Sequence, residues 1–92
     1  MKDIARRIRI EGRVQGVGFR AWAEAEAQAL GLRGWVRNEW DGSVAVLAAG
    51  PEARVDELIA ELHRGPPAAR VRDVQITPVE TPQGLAGFQI AR

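Results

Sequence analysis

The sequence predicts an α+β domain in which two helices cover one face of an antiparallel sheet. Three observations carry that prediction: short segments with period-two apolar alternation, two longer segments with helical spacing, and glycine- or proline-containing turns between them. At 92 residues the chain is read as one domain over residues 1–92, with a single modest core.

From Arg7 to Val14 the alternation is strict. Ile8, Ile10, Gly12 and Val14 share one face, and Arg7, Arg9, Glu11 and Arg13 the other, as in a half-buried strand. Ala21 to Leu30 is rich in alanine and glutamate. Phe19, Trp22, Ala23, Ala27 and Leu30 recur near helical spacing, and Gly31 is placed to end that helix. A second strand is expected over Leu32–Glu39, with Gly34, Val36 and Asn38 facing one way. An Asp41-Gly42 turn leads into a third strand from Ser43 to Ala49.

The second helix opens at Gly50-Pro51-Glu52, with Pro51 in its first turn and acids at Glu52, Asp56 and Glu57. Val55, Leu58, Ile59 and Leu62 form its buried stripe, and Gly65-Pro66-Pro67 stops it. In the following strand the parity shifts between Val71 and the Val74/Ile76 pair, which predicts a bulge near Arg72-Asp73. Thr81-Pro82-Gln83-Gly84 turns the chain into a last short strand with Phe88 and Ile90 facing inward. The order β-α-β-β-α-β is the split βαβ, or ferredoxin-like, arrangement. Trp22, Trp35 and Trp40 are expected to pack in the core or at its rim.

Apolar content of 46% with 27% charge is that of a soluble globular protein, and a formal net charge of +1 lacks the signature of a polyanion binder. Cysteine is absent, which excludes disulfides and thiol chemistry and fits a reducing compartment. With a single histidine, little is left for a transition-metal site. The N-terminal residues lack the apolar run of a signal peptide and no segment is long enough to span a membrane, so a cytoplasmic protein without a membrane partner is expected.

The stretch Gly12-Arg13-Val14-Gln15-Gly16-Val17-Gly18-Phe19-Arg20 joins the first strand to the first helix. Glycines there let the backbone approach a ligand closely, and a helix start adds unpaired N–H donors, so the turn reads as a phosphate-sized cradle. Arg20 stands in a first turn that ordinarily prefers acids, where an arginine is unfavourable unless an anion arrives. Gly16-Val17-Gly18-Phe19-Arg20-Ala21 also satisfies G-x-G-x-x-G/A, but the preceding strand alternates with charge and the chain is too short for a doubly wound sheet. No Gly-Lys-Ser/Thr follows, which excludes a Walker loop. His63 beside Arg64 reads as a helix-terminus charge.

Two other classes compete with an enzyme. A binding module would use the same cradle for a phosphate or carboxylate without turnover. An RNA-binding domain of the same βαββαβ order would place aromatics on the outward face of its central strands, where the first strand shows Arg7, Arg9, Glu11 and Arg13. Turnover of a phosphorylated substrate, anion binding without turnover, and salt-sensitive oligonucleotide binding separate the three.

The Gly12–Arg20 stretch together with Gly31-Leu32-Arg33-Gly34-Trp35-Val36-Arg37-Asn38, continued by Asp41-Gly42-Ser43-Val44 and by Gly65-Pro66-Pro67 before Val71, resembles the acylphosphatases. The resemblance covers essentially the whole chain. It implies a small cytosolic enzyme that hydrolyses carboxyl–phosphate mixed anhydrides without a metal or other cofactor. It implies further that Arg20 binds the phosphoryl group and that Asn38 positions the attacking water. Backbone amides of Gln15, Gly16, Val17, Gly18, Phe19 and Arg20 would form the cradle, although position 18 varies in the family. Some members carry Thr directly after the catalytic Asn, where this chain has Glu39, and Glu39 is left outside the site. The expected partner is a small-molecule acyl phosphate, with no nucleic acid and a monomeric protein. A related domain occurs inside larger hydrogenase-maturation proteins, and no extension in this chain suggests such a fusion.

Overall fold

A computed structural model describes residues 2–91. Along the chain come β1 (Asp3–Arg13), α1 (Phe19–Ala29), β2 (Arg33–Asn38), β3 (Val44–Pro51), α2 (Glu52–Arg64), β4 (Arg70–Val79) and β5 (Phe88–Ile90). The strands form one sheet in the order β4-β1-β3-β2-β5. β1 and β2 each run antiparallel to β3, and β4 antiparallel to β1. To this antiparallel set β5 adds beside β2 in parallel. β1, β2 and β5 therefore point the same way, and their C-terminal ends meet at one end of the sheet.

Alternation decides which side chains meet the helices. Ile8 and Ile10 of β1, Val36 of β2, and Val44, Val46 and Ala48 of β3 pack with Ala23 and Ala27 of α1 and with Val55, Leu58 and Leu62 of α2 in one cluster. Ile59 lies at its margin, partly buried. α1 lies over β2 and β5, and α2 over β1, β3 and β4.

β3 is buried on both faces, because Ala45, Leu47 and Ala49 on the helix-free side are also covered. Leu47 lies between Arg7 and Trp35 in the cross-strand register, and Ala45 between Arg9 and Arg37. Small residues on the central strand let these long side chains lie over it, with their hydrocarbon inward and their charges in water. The guanidinium carbons of Arg7 and Arg37 stand 5.5 and 4.5 Å from the Trp35 ring centroid.

β1 and β4 change register between Glu11↔Asp73 and Gly12↔Val71, leaving Arg72 as the extra residue of the predicted bulge. α1 ends in a Schellman arrangement, with Gly31 N–H on the Gln28 carbonyl and Leu32 N–H on that of Ala27. Gly34 has φ of 143°, and a Cβ there would lie 1.8 Å from the Leu47 carbonyl oxygen, so only glycine lets β2 and β3 approach this closely.

Three expectations are corrected. Pro51 is the residue before α2 and not in its first turn: β3 runs through it, and its ψ of 139° is extended. Trp40 is 99% exposed at the β2–β3 turn, because the Asp41-Gly42 reversal carries it beyond the sheet. Phe88 is buried, but Ile90 on the same face of β5 is 39% exposed, because the strand passes the end of the core there.

Candidate active site

The strand ends and the start of α1 frame a cleft of about 230 Å³ lined by Val14, Gly16, Gly18, Phe19, Arg20, Ala21, Asn38 and Ile90. Arg20 and Asn38, 18 residues apart in sequence, are neighbours across it because β1 and β2 end on the same side of the sheet. β3 lies between the two strands, so the sheet order and not a hairpin makes the meeting.

The loop feeding α1 turns through Gly16 and Gly18 at φ of 73° and 77°. Gly18 is the residue before α1 and sits in the left-handed region, which a side-chain-bearing residue adopts only at a cost. No side chain caps this helix, and its first turn holds no acid. Trp22 N–H makes the first bond back, 3.1 Å to the Gly18 carbonyl, so the preceding amides have no intrahelical partner. A positive helix end, free N–H groups and the Arg20 guanidinium thus point to one place.

Asn38 is the last residue of β2, paired with Val44. Its backbone is fixed by the ladder, and its Oδ1 is buried without a hydrogen-bond partner. Such an acceptor costs about 1–3 kcal/mol unless water or a ligand meets it. Glu39 falls on the opposite face by alternation, and its carboxylate lies 3.4 Å from the Arg37 guanidinium. Among the described residues Arg20 is therefore the only charged side chain lining the cleft.

Two members of the expected cradle stand outside the lining. Val17 packs against the core. Gln15 turns its side chain across to the β2–β3 turn, where Nε2 donates to the carbonyls of Glu39 at 2.7 Å and Ser43 at 2.9 Å. Sequence reading assigned Gln15 a backbone role only; a polar side chain between Val14 and Gly16, ahead of a turn, was the available signal. Ile90 was also missed, since period-two alternation places it on the inner face without saying where the core ends.

The turn that receives Gln15 is itself ordered. Asp41 Oδ1 accepts from the Ser43 hydroxyl at 2.6 Å and the Ser43 N–H at 3.0 Å, and Asp41 Oδ2 accepts from Arg9 at 2.8 Å. The Ser43 hydroxyl bond, the Ser43 N–H and Arg9 hold the Asp41 carboxyl down at a pKa of about 2. His63 stands in the last turn of α2 as expected, its Nδ1 3.0 Å from the Ile59 carbonyl. Among the described residues no group of three or more His, Cys, Asp or Glu side chains is placed to hold a metal ion, and no helix is long and apolar enough to cross a membrane.

The profile of the acylphosphatase family matches residues 6–90. An acylphosphatase of Rhizorhabdus wittichii is 58% identical over 84 residues, which are 89% of this chain and 85% of that protein. One from Thermococcus kodakarensis is 49% identical over 90 residues, 98% of each chain. The crystal structure of acylphosphatase from Bacillus subtilis superposes with a TM-score of 0.93 at 38% identity, covering 97% of this chain and 99% of that one.

Proposed function

The chain belongs to the acylphosphatase family, and from that premise we propose how its cleft hydrolyses an acyl phosphate to a carboxylate and inorganic phosphate. The phosphoryl group binds to Arg20 and to the backbone amides from Gln15 to Arg20. Asn38 orients a water for in-line attack on phosphorus. The bond from phosphorus to the acyl oxygen breaks, the carboxylate leaves with its electron pair, and a phosphate oxygen takes the water's proton. A carboxylate is a weak base, so the departure needs no strong general acid. Phosphoryl transfer asks chiefly for positioning and for charge stabilisation on the equatorial oxygens, which a guanidinium and amides supply without a metal.

The observation that carries this reading is the meeting of Arg20 and Asn38 on one cleft that, among the described residues, no carboxylate side chain lines. We take the protein as one domain over residues 1–92, acting as a cytoplasmic monomer on a small substrate and not on nucleic acid. The single core cluster, the absence of cysteine, and the Pro78 and bulged Arg72 on edge strand β4 support this.

The test is phosphate release from acetyl phosphate, with and without a chelator. Turnover indifferent to the chelator is expected, and an inert protein that still binds phosphate would make it a binding module. Arg20→Lys should lose most activity, because a point-charge ammonium does not reproduce the planar fork.

A further inference from the structure

Granted that the loop and Arg20 hold the phosphoryl group, the other half of the substrate must lie against the rest of the cleft. Ile90, Trp40 and Ile76 are the exposed large apolar side chains among the described residues, and of these Ile90 alone lines the cleft. Val14 and Phe19 are buried, which leaves Ala21 and Ile90 as the accessible hydrocarbon. Among the described residues that line the cleft, no second cation accompanies Arg20 to receive an anionic acyl chain.

α1 fixes where Ile90 stands. β5 has only three residues, too few for its ladder alone to hold it. Towards β2 it is bracketed by Gly34 N–H on the Gly87 carbonyl at 2.9 Å and Ala91 N–H on the Val36 carbonyl at 2.8 Å. On its outer side, Ile90 N–H donates to Glu24 Oε2 at 3.1 Å and the Phe88 carbonyl accepts from Gln28 Nε2 at 3.0 Å. Arg20, Glu24 and Gln28 follow one another at intervals of four and so form a single stripe along α1. Glu24 is spaced to pair with Arg20, yet its carboxylate goes to β5. One helix thus sets both the phosphoryl-binding guanidinium and the position of the strand that carries Ile90.

We propose that Ile90 selects the acyl group, favouring apolar, branched or aromatic chains over those bearing a second carboxylate, and that Glu24 and Gln28 are the positioning residues that hold it at the cleft. A second carboxylate would be desolvated against Ile90 with no cationic partner among the described lining residues beyond Arg20, which holds the phosphoryl group. A phenyl or branched alkyl group would instead bury apolar surface there.

Steady-state kinetics on benzoyl, acetyl and succinyl phosphate test this. The native protein should prefer benzoyl to succinyl phosphate. In Ile90→Ala the ratio of kcat/KM for benzoyl to that for acetyl phosphate should fall about tenfold, mostly through KM. Glu24→Ala should shift the ratio the same way by less, and Glu24→Gln should restore it, because an amide oxygen still accepts from the Ile90 N–H. A ratio unmoved in Ile90→Ala overturns the assignment, and so does a Glu24→Ala defect that lowers kcat equally on all substrates and is not rescued by glutamine. A native protein inert towards acetyl phosphate would instead remove the hydrolytic reading on which the assignment rests, and both would fall.

Discussion

Gln15 is tied to Glu39: its Nε2 stands 2.7 Å from the Glu39 carbonyl oxygen, one residue beyond Asn38. The same nitrogen donates to the Ser43 carbonyl. The loop that would hold the phosphoryl group and the strand end that would hold the water are thus braced against each other by one side chain. Gln15→Ala should lower kcat roughly 10–10²-fold, the scale of a small misplacement of reacting groups. Gln15→Glu should be no better, since its carboxylate would face two carbonyl oxygens. Steady-state kinetics together with phosphate binding check this; a change in phosphate affinity alone, with kcat intact, would remove the bracing role.

Asn38→Ala should lose turnover by roughly 10²–10³, the scale of one polar transition-state contact, while inorganic phosphate still binds. Titration of phosphate into the variant, followed by calorimetry, is the check. Loss of phosphate binding would count against a role in orienting water.

Gly34→Ala should destabilise the fold by roughly 2–5 kcal/mol, combining a strained backbone with overpacking. The new Cβ would lie 1.8 Å from the Leu47 carbonyl oxygen, so β2 and β3 must separate. Because β2 ends in Asn38, activity should fall with stability. Urea unfolding measures the first effect, and an unchanged midpoint would contradict it.

The Asp41 carboxyl, held at about 2 against an ordinary 3.8, links the β2–β3 turn to pH. A depressed carboxylate pKa contributes stability that is fully present above the unfolded value. That stability is lost as pH falls from about 3.8 towards 2. NMR titration of the carboxyl carbon should give the low midpoint, and Ser43→Ala should raise it. An ordinary midpoint in the native protein would show that the Ser43 and Arg9 bonds do not persist in solution.

Much of this architecture was legible in the sequence because local chemistry and tertiary packing agree. Ile8 and Ile10 alternate because one face meets helices, and the parity break at Arg72 marks a bulge that is there. Arg20 stood out as a candidate anion ligand because it breaks a preference of helix starts, and the structure sets it in the cleft beside Asn38. What escaped reading depends on neighbours that no local pattern names. Ala45 and Leu47 lie on the helix-free face, yet they are buried under arginine and tryptophan side chains from two other strands. Trp40 is hydrophobic enough to suggest burial, but the turn geometry projects it outward. The side-chain role of Gln15 needed the β2–β3 turn in place, and the exposure of Ile90 needed the end of the core.

The position of β3 between β1 and β2 has a consequence for how activity arises during folding. The residues of the cleft up to Asn38 are all made before β3, yet they cannot converge until that later segment inserts and spaces the two strands it separates. Ile90 arrives later still, with the last strand. No contiguous N-terminal fragment can hold the assembled cleft, and turnover should appear only together with long-range order. Catalytic competence is in this sense a cooperative readout of the complete topology.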